Sequence, residues 1–285
     1  MQEVKGNTAL PLNVQGIFGA NRILLIWFGT LLIGYTLIPE TLWTDLLVGI
    51  AVLAALWILA RVSKSPFFGL EDANRSVNLV AVAGIFLLSF IAEYGLGTFF
   101  EAFFPQQIEA VWLSGTPSSK EFVLALLTTG LITPFYEEYI FRWVTLRAFA
   151  SVRSPLFAAL FSTLLFALAH GSFVYAAIVF PVGFMLALFV LKTRQLWSAV
   201  LVHVLSNVYA LFVAQFATGD YAQVAVTPLE GVVGLCAALI ALLLAVWWLG
   251  FPSSRADTRG RLWSGSLIAF IAICLALSVI VTVST

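Results

Sequence analysis

Charge is what this sequence has least of. Of 285 residues only 10% are charged and 61% are hydrophobic, whereas a soluble globular domain is nearer a quarter charged. That balance excludes an ordinary water-soluble fold and implies an integral membrane protein. The 14 basic and 14 acidic residues cancel, which removes any electrostatic basis for nucleic-acid binding. Only two cysteines occur, Cys236 and Cys274, in separate apolar stretches without CxxC spacing. A disulfide scaffold, a cysteine-rich metal site and a thiol nucleophile all lack support. No apolar span holds a central aspartate, so an intramembrane aspartyl pair is excluded. No internal repeat is found, although many transporters are built from repeated halves. Met1 to Asn21 lacks the short apolar core and small-residue cleavage site of a secretory signal, and is expected to be a retained cytoplasmic leader.

What is present is a series of apolar runs. About 20 such residues are needed to cross ~30 Å of hydrocarbon, and the candidates are 23–38, 46–60, 77–97, 121–146, 156–171, 173–191, 196–217, 229–249 and 262–282. The segment 156–191 reads either as two tilted spans broken at Gly171 or as one span with a re-entrant piece. The expectation is an all-α, polytopic transmembrane bundle of eight to nine spans, forming a single membrane domain over 1–285. Twelve basic residues fall in one alternating set of connections: Lys5, Arg22, Arg61, Lys64, Arg75, Arg147, Arg153, Lys192, Arg194, Arg255, Arg259 and Arg261. The other set holds only Lys120, and Arg142 lies within a span. Short loops rich in Lys and Arg stay cytoplasmic, which predicts a cytoplasmic N-terminus and an external C-terminus. Trp43, Trp57, Trp197, Trp247, Trp248 and Trp263 sit at expected span ends, as an interfacial aromatic belt requires. Phe99 to Trp112 reads as an interfacial segment or as a long, partly buried loop.

The stretch Thr133-Pro-Phe-Tyr-Glu-Glu-Tyr-Ile-Phe-Arg-Trp, residues 133 to 143, departs from this apolar pattern. A charge at the centre of a lipid-facing helix costs roughly 2.5–3.5 kcal/mol on insertion scales, so three in six residues need partners, water or a task. Glu138 and Arg142 are four apart, share a helix face and have the acid N-terminal to the base, the better orientation for pairing. Glu137 lies well round the helix from Arg142 and has no local partner.

The two histidines, His170 and His203, both fall within apolar spans, where ionisable groups are functional candidates by default. Asn207 follows His203 by one turn and so shares its face. From the nearer end of each span, Glu137, His203 and Asn207 come out at about 15, 12 and 18 Å, whereas His170 comes out at about 22 Å. His170 joins them only if its span starts late, tilts or is re-entrant. A carboxylate screened from bulk water suits proton abstraction from a water molecule. An imidazole orients that water, and a second imidazole with a carboxamide can donate to the oxyanion of a hydrolysed amide. The same residues leave a second possibility open: Glu137, His170 and His203 as three zinc ligands with water in the fourth position. HExxH is absent, and serine catalysis lacks its GxSxG elbow, Ser206 being the nearest candidate.

Glu-Glu-Tyr-Ile-Phe-Arg, Phe-Ala-Leu-Ala-His and His-Val-Leu-Ser-Asn, in this order, resemble the EExxxR, FxxxH and HxxxN motifs of the CAAX protease and bacteriocin-processing (CPBP, or Abi) family of intramembrane peptidases. The resemblance covers about residues 121–217 and implies a catalytic core of four to five helices. It implies Glu137 as catalytic carboxylate, His170 as its partner in activating water, His203 and Asn207 as the oxyanion site, and Glu138 with Arg142 as structural support. It further implies a membrane-associated peptide or protein substrate, prenylated or carrying a sorting signal, and a prokaryotic cell membrane. Of the two chemistries, glutamate catalysis without a cofactor is expected ahead of zinc. Two readings from other classes are a catalytically silent scaffold or immunity protein and a proton-coupled transporter.

Overall fold

The computed structural model describes residues 14–37, 43–63, 76–106, 118–216, 225–251 and 262–284. Every expected span is a helix, and no strand occurs among the described residues. In chain order they are α1 (Val14–Leu37), α2 (Thr44–Ser63), α3 (Leu79–Phe103), α4 (119–150), α5 (Pro155–Leu168), α6 (Phe173–Thr193), α7 (Leu196–Phe216), α8 (Pro228–Leu249) and α9 (Gly265–Ser284). By length and composition six of them, α1, α3, α6, α7, α8 and α9, suffice to cross a membrane. The expected count of eight to nine is higher for a physical reason. The apolar parts of α2 and α5 are short, Leu46–Ile58 and Pro155–Leu168, and α4 is interrupted by π-helical turns and by its own charges. The chain is an integral membrane protein. Lys5, Lys64, Arg75, Arg255, Arg259 and Arg261, which carry much of the orientation reading, lie outside the described residues. So do residues 1–13 of the expected leader and 107–112 of the segment after Phe99.

α4 is the axis of the bundle. It begins in a capping box, in which Ser118 N–H donates to Glu121 Oε2 (2.6 Å) and Glu121 N–H to Ser118 Oγ (3.4 Å). It then runs through π turns at Thr128–Ile132 and Tyr139–Thr145. Pro134 explains the first. Proline has no N–H to give, and the chain widens by one residue before it, so that Thr133 N–H reaches Thr128 O. In that register the Thr129 carbonyl faces Pro134 and has no backbone donor. Asn207 on α7 supplies one, Nδ2 to Thr129 O at 2.8 Å, at an exposed position of the bundle.

The core packs around the second half of α4. Ile140, Phe141, Trp143, Val144, Leu146 and Phe149 are essentially inaccessible. Trp27 of α1 meets Phe141 edge-on at 5.2 Å. α3 and α8 form the closest pair because their facing residues are small. A Cβ at Gly95 would run into the Gly234 carbonyl oxygen, and one at Gly231 would stand 2.6 Å from Ala102 Cβ. On α8, Gly231, Gly234, Ala238, Ala241 and Ala245 recur at spacings of three and four, the small-residue seam of a close helix contact. The six tryptophans of the expected belt are all exposed. Phe99, Phe100, Phe103 and Phe104 form a ring cluster at the end of α3, which continues six residues past the expected end at 97. Up to Phe104 the segment is therefore helix end, neither a separate interfacial piece nor a loop. Cys236 and Cys274 are unbonded.

Candidate active site

α5 decides how the site comes together. It has only 14 residues, about 21 Å of helix at the usual rise, too little to cross. It therefore stops inside the bundle, and the chain turns at Gly171 with φ of +70°, a conformation glycine adopts without strain. His170 sits in that turn, which removes the depth mismatch noted in the sequence.

Phe166, one turn before His170, is the hub. Both imidazoles pack edge-to-face on its ring, His170 at 4.9 Å and His203 at 5.9 Å. The Arg142 guanidinium lies 4.1 Å from its centroid, close enough for a cation–π attraction. Glu138 and Arg142 are paired, Oε1 to Nη1 at 3.1 Å, both side chains fully inaccessible. Arg142 Nη2 also donates to the Gly183 carbonyl at 3.2 Å. Gly183 has to lack a side chain there, since a Cβ would stand 2.9 Å from that nitrogen.

Glu138 has a second partner, one that no local spacing reveals. His203 Nδ1 lies 2.9 Å from its Oε1. A carboxylate paired with arginine can only accept, so Nδ1 carries the hydrogen. The other ring nitrogen, Nε2, then points at Glu137 Oε2, 3.8 Å away. These two side chains keep about a tenth of their surface accessible, 10% for His203 and 12% for Glu137. The result is a line of contacts, Arg142 to Glu138 to His203 to Glu137, in which an inaccessible acid orients an imidazole toward a second, accessible acid. Oriented imidazoles of this kind are familiar from hydrolytic triads.

His170 is placed differently. Its Nδ1 lies 2.9 Å from the Phe166 carbonyl, which can only accept, so the neutral ring presents a bare Nε2. Asn207 turns its amide nitrogen to Thr129 O rather than to His203 or Glu137. The structure thus gathers Glu137, Glu138, Arg142, His170 and His203 about Phe166 and gives Asn207 a helix-to-helix contact. Among the described residues no three His, Cys, Asp or Glu side chains converge as metal ligands.

Two further polar groups face the cluster. Glu93 of α3 lies within electrostatic reach of His203 and of Tyr175, and Tyr175 also within reach of Glu137. Glu93 carried a usable sign, an acid at the centre of an apolar span. Tyr175 carried none, because a lone tyrosine near a helix start is ordinary.

An all-helical membrane bundle holding an acid–imidazole cluster in its interior is the class that fold and site define. Residues 119–209, which contain all three motifs, match the family described as type II CAAX prenyl endopeptidase Rce1-like. The chain is also 23% identical over 203 residues to "Putative membrane peptidase YdiL" of Bacillus subtilis (strain 168), covering 68% of this chain and 80% of that protein. No solved structure matches. Both matches, like the three motifs, make the chain similar to the CAAX protease and bacteriocin-processing family over its central helices.

Proposed function

We propose that this protein is an intramembrane endopeptidase in which Glu137 and His203 activate a water molecule. The observation that carries the reading is the 3.8 Å gap between Glu137 Oε2 and His203 Nε2. It is too long for a direct hydrogen bond and short enough for one water to touch both at about 2.8 Å. Glu137 takes the proton as the water oxygen bonds to the scissile carbonyl carbon. The same proton passes to the leaving nitrogen as the C–N bond breaks. Glu138, held by Arg142, keeps His203 in the tautomer and orientation this step needs, and no step is routed through a metal. His170, with its bare Nε2, packs on the same Phe166 ring and is a second proton acceptor. This assignment moves the water-activating imidazole from His170 to His203.

The peptide bond has to reach a cluster inside the bundle, so the substrate is membrane-associated, a lipidated tail or an apolar segment. The Rce1-like match favours a lipidated one. The connections rich in Lys and Arg support a cytoplasmic N-terminus, and the Bacillus subtilis relative supports a prokaryotic cell membrane.

Mass spectrometry of membranes with and without Glu137→Gln is the test. A peptide whose processing disappears in the variant, with the protein's melting unchanged, supports the reading. Processing that survives Glu137→Gln rejects it.

A further inference from the structure

A peptide bond is open to attack only where the chain is unwound. Inside a bilayer every backbone N–H and C=O released from a helix then needs a new partner, because no water is there to supply one. A peptidase working among apolar helices therefore has to offer hydrogen-bonding groups beside the bond it cuts. Glu138 and Arg142 are committed to each other, and His203 is turned to both acids. The groups that receive the peptide backbone have to come from elsewhere.

Two uncommitted polar side chains lie on the α3 side of His203. Ser206 follows His203 on α7 by three residues, about 60° round the helix. The same step again reaches Tyr209, whose ring meets Phe90 of α3 edge-on at 4.8 Å. Ser206 thus faces the space between His203 and α3, and its hydroxyl oxygen is buried with no hydrogen-bond partner among the described residues. Glu93 on α3 is the second. Phe90, three residues before it, meets α7, and Ser89, four before it, donates to Met185 Sδ of α6 at 3.7 Å. Glu93 lies between these two directions, about 60° from one and about 40° from the other. It therefore looks into the junction of α6 and α7, the side on which Ser206 stands. Its carboxyl group makes no hydrogen bond or ion pair among the described residues, and the side chain keeps part of its surface accessible. An unpartnered acid within an apolar span is a functional candidate by default.

We infer that Glu93 and Ser206 form the subsite that binds the substrate backbone beside the scissile bond, Glu93 accepting a peptide N–H and Ser206 donating to a peptide C=O. The inference rests on the peptidase reading above. A carboxyl group offers an acceptor oxygen in either protonation state, and a serine hydroxyl has a hydrogen to give. The pair suits an extended peptide, which presents free N–H and C=O groups along its edge. It offers nothing to an intact helix, whose backbone groups are paired internally. The subsite thus selects the unwound segment on which Glu137 and His203 can act, and its contribution falls on binding rather than on the chemical step.

The test uses the full chain in phospholipid vesicles and a membrane peptide that the wild type cleaves. Variants of that peptide carry an ester oxygen in place of one backbone N–H at a time, at the peptide bonds flanking the scissile one. Each ester removes a donor and leaves the side chains as they were. For cleavage at the original bond, one of these esters should raise the wild-type KM about tenfold, the worth of one hydrogen bond, with kcat unchanged. Glu93→Leu should start from the raised KM and show no further response to that ester. Ser206→Ala should raise KM to a similar extent while melting no lower than wild type, since it removes a buried hydroxyl that has no partner to lose. A Glu93→Leu protein that responds to every ester as wild type does, or a wild-type KM in either variant, overturns the inference. Binding of the ester series to Glu137→Gln protein reads the subsite apart from the chemistry, and a series with no ester-sensitive position rejects the subsite. Cleavage that survives Glu137→Gln instead rejects the water-activation reading, and the ester series still reports on Glu93.

Discussion

Gly183→Ala adds one methyl group at the back of the site, where the packing is tightest. That carbon would stand 2.9 Å from Arg142 Nη2, 3.0 Å from Phe166 Cδ1 and 3.1 Å from Thr163 Cγ2. Attraction is best near 3.5–4.0 Å, so all three contacts are too close. A free arginine end would swing away, but this one is held by Glu138 at 3.1 Å and by the Phe166 face at 4.1 Å. Overpacking of this sort costs about 1–3 kcal/mol, and loosening the charged bond to the Gly183 carbonyl adds up to about 1.5–3 kcal/mol. Alanine returns roughly 0.5–1 kcal/mol as the better helix former. The balance is about 2 kcal/mol of destabilisation, which for a chain of this size lowers the melting temperature by about 5 °C. Thermal unfolding in detergent, followed by tryptophan fluorescence, reads it. Gly29→Ala on α1 is the control: nothing lies within 4 Å of that site, so the variant should melt at or slightly above wild type. Should the two variants melt together, the confinement of Arg142 by α6 is wrong, and with it the claim that Glu138 and His203 are held from behind.

Three further outcomes follow from the same contacts. Glu138→Gln strands the inaccessible Arg142 and should cost about 3–5 kcal/mol, read as a collapse in folded yield on size-exclusion chromatography. Asn207→Ala leaves the exposed Thr129 carbonyl without its donor and should cost about 0.5–1.5 kcal/mol in thermal unfolding. Asn207→Asp should be at least as damaging, because a carboxylate offers that carbonyl no hydrogen; a stable aspartate variant would contradict the contact. Gly234→Leu drives a side chain into the α3 backbone and should cost more than the ~1–3 kcal/mol of ordinary overpacking, whereas Val233→Leu on the exposed face should melt like wild type.

The legible parts were those written in local spacing. Apolar run length located every helix, and an i, i+4 register was enough to pair Glu138 with Arg142. What was not legible depends on which groups meet across helices. His203 and Glu138 are 65 residues apart, and no periodicity says that an acid already paired with arginine also orients an imidazole. The depth of His170 requires a span that starts late, tilts or is re-entrant, and spacing alone does not choose among them; α5, which ends inside the bundle, does. Glu93, like Glu137 an acid within an apolar span, belongs to none of the three motifs.

Asn207 shows how far a spacing rule carries. Its position one turn after His203 places the two side chains on one face, and that much is true. Its partner is decided by Pro134, 73 positions earlier, which forces the π turn and leaves Thr129 O without a backbone donor. The proline was visible in the sequence, and so was its missing N–H. The extra residue of the π turn, which hands the resulting vacancy to a carbonyl five positions back instead of four, was not. A carboxamide that reads as part of the chemistry is therefore, in this fold, first of all the tie that holds α7 against the interrupted helix carrying the acids.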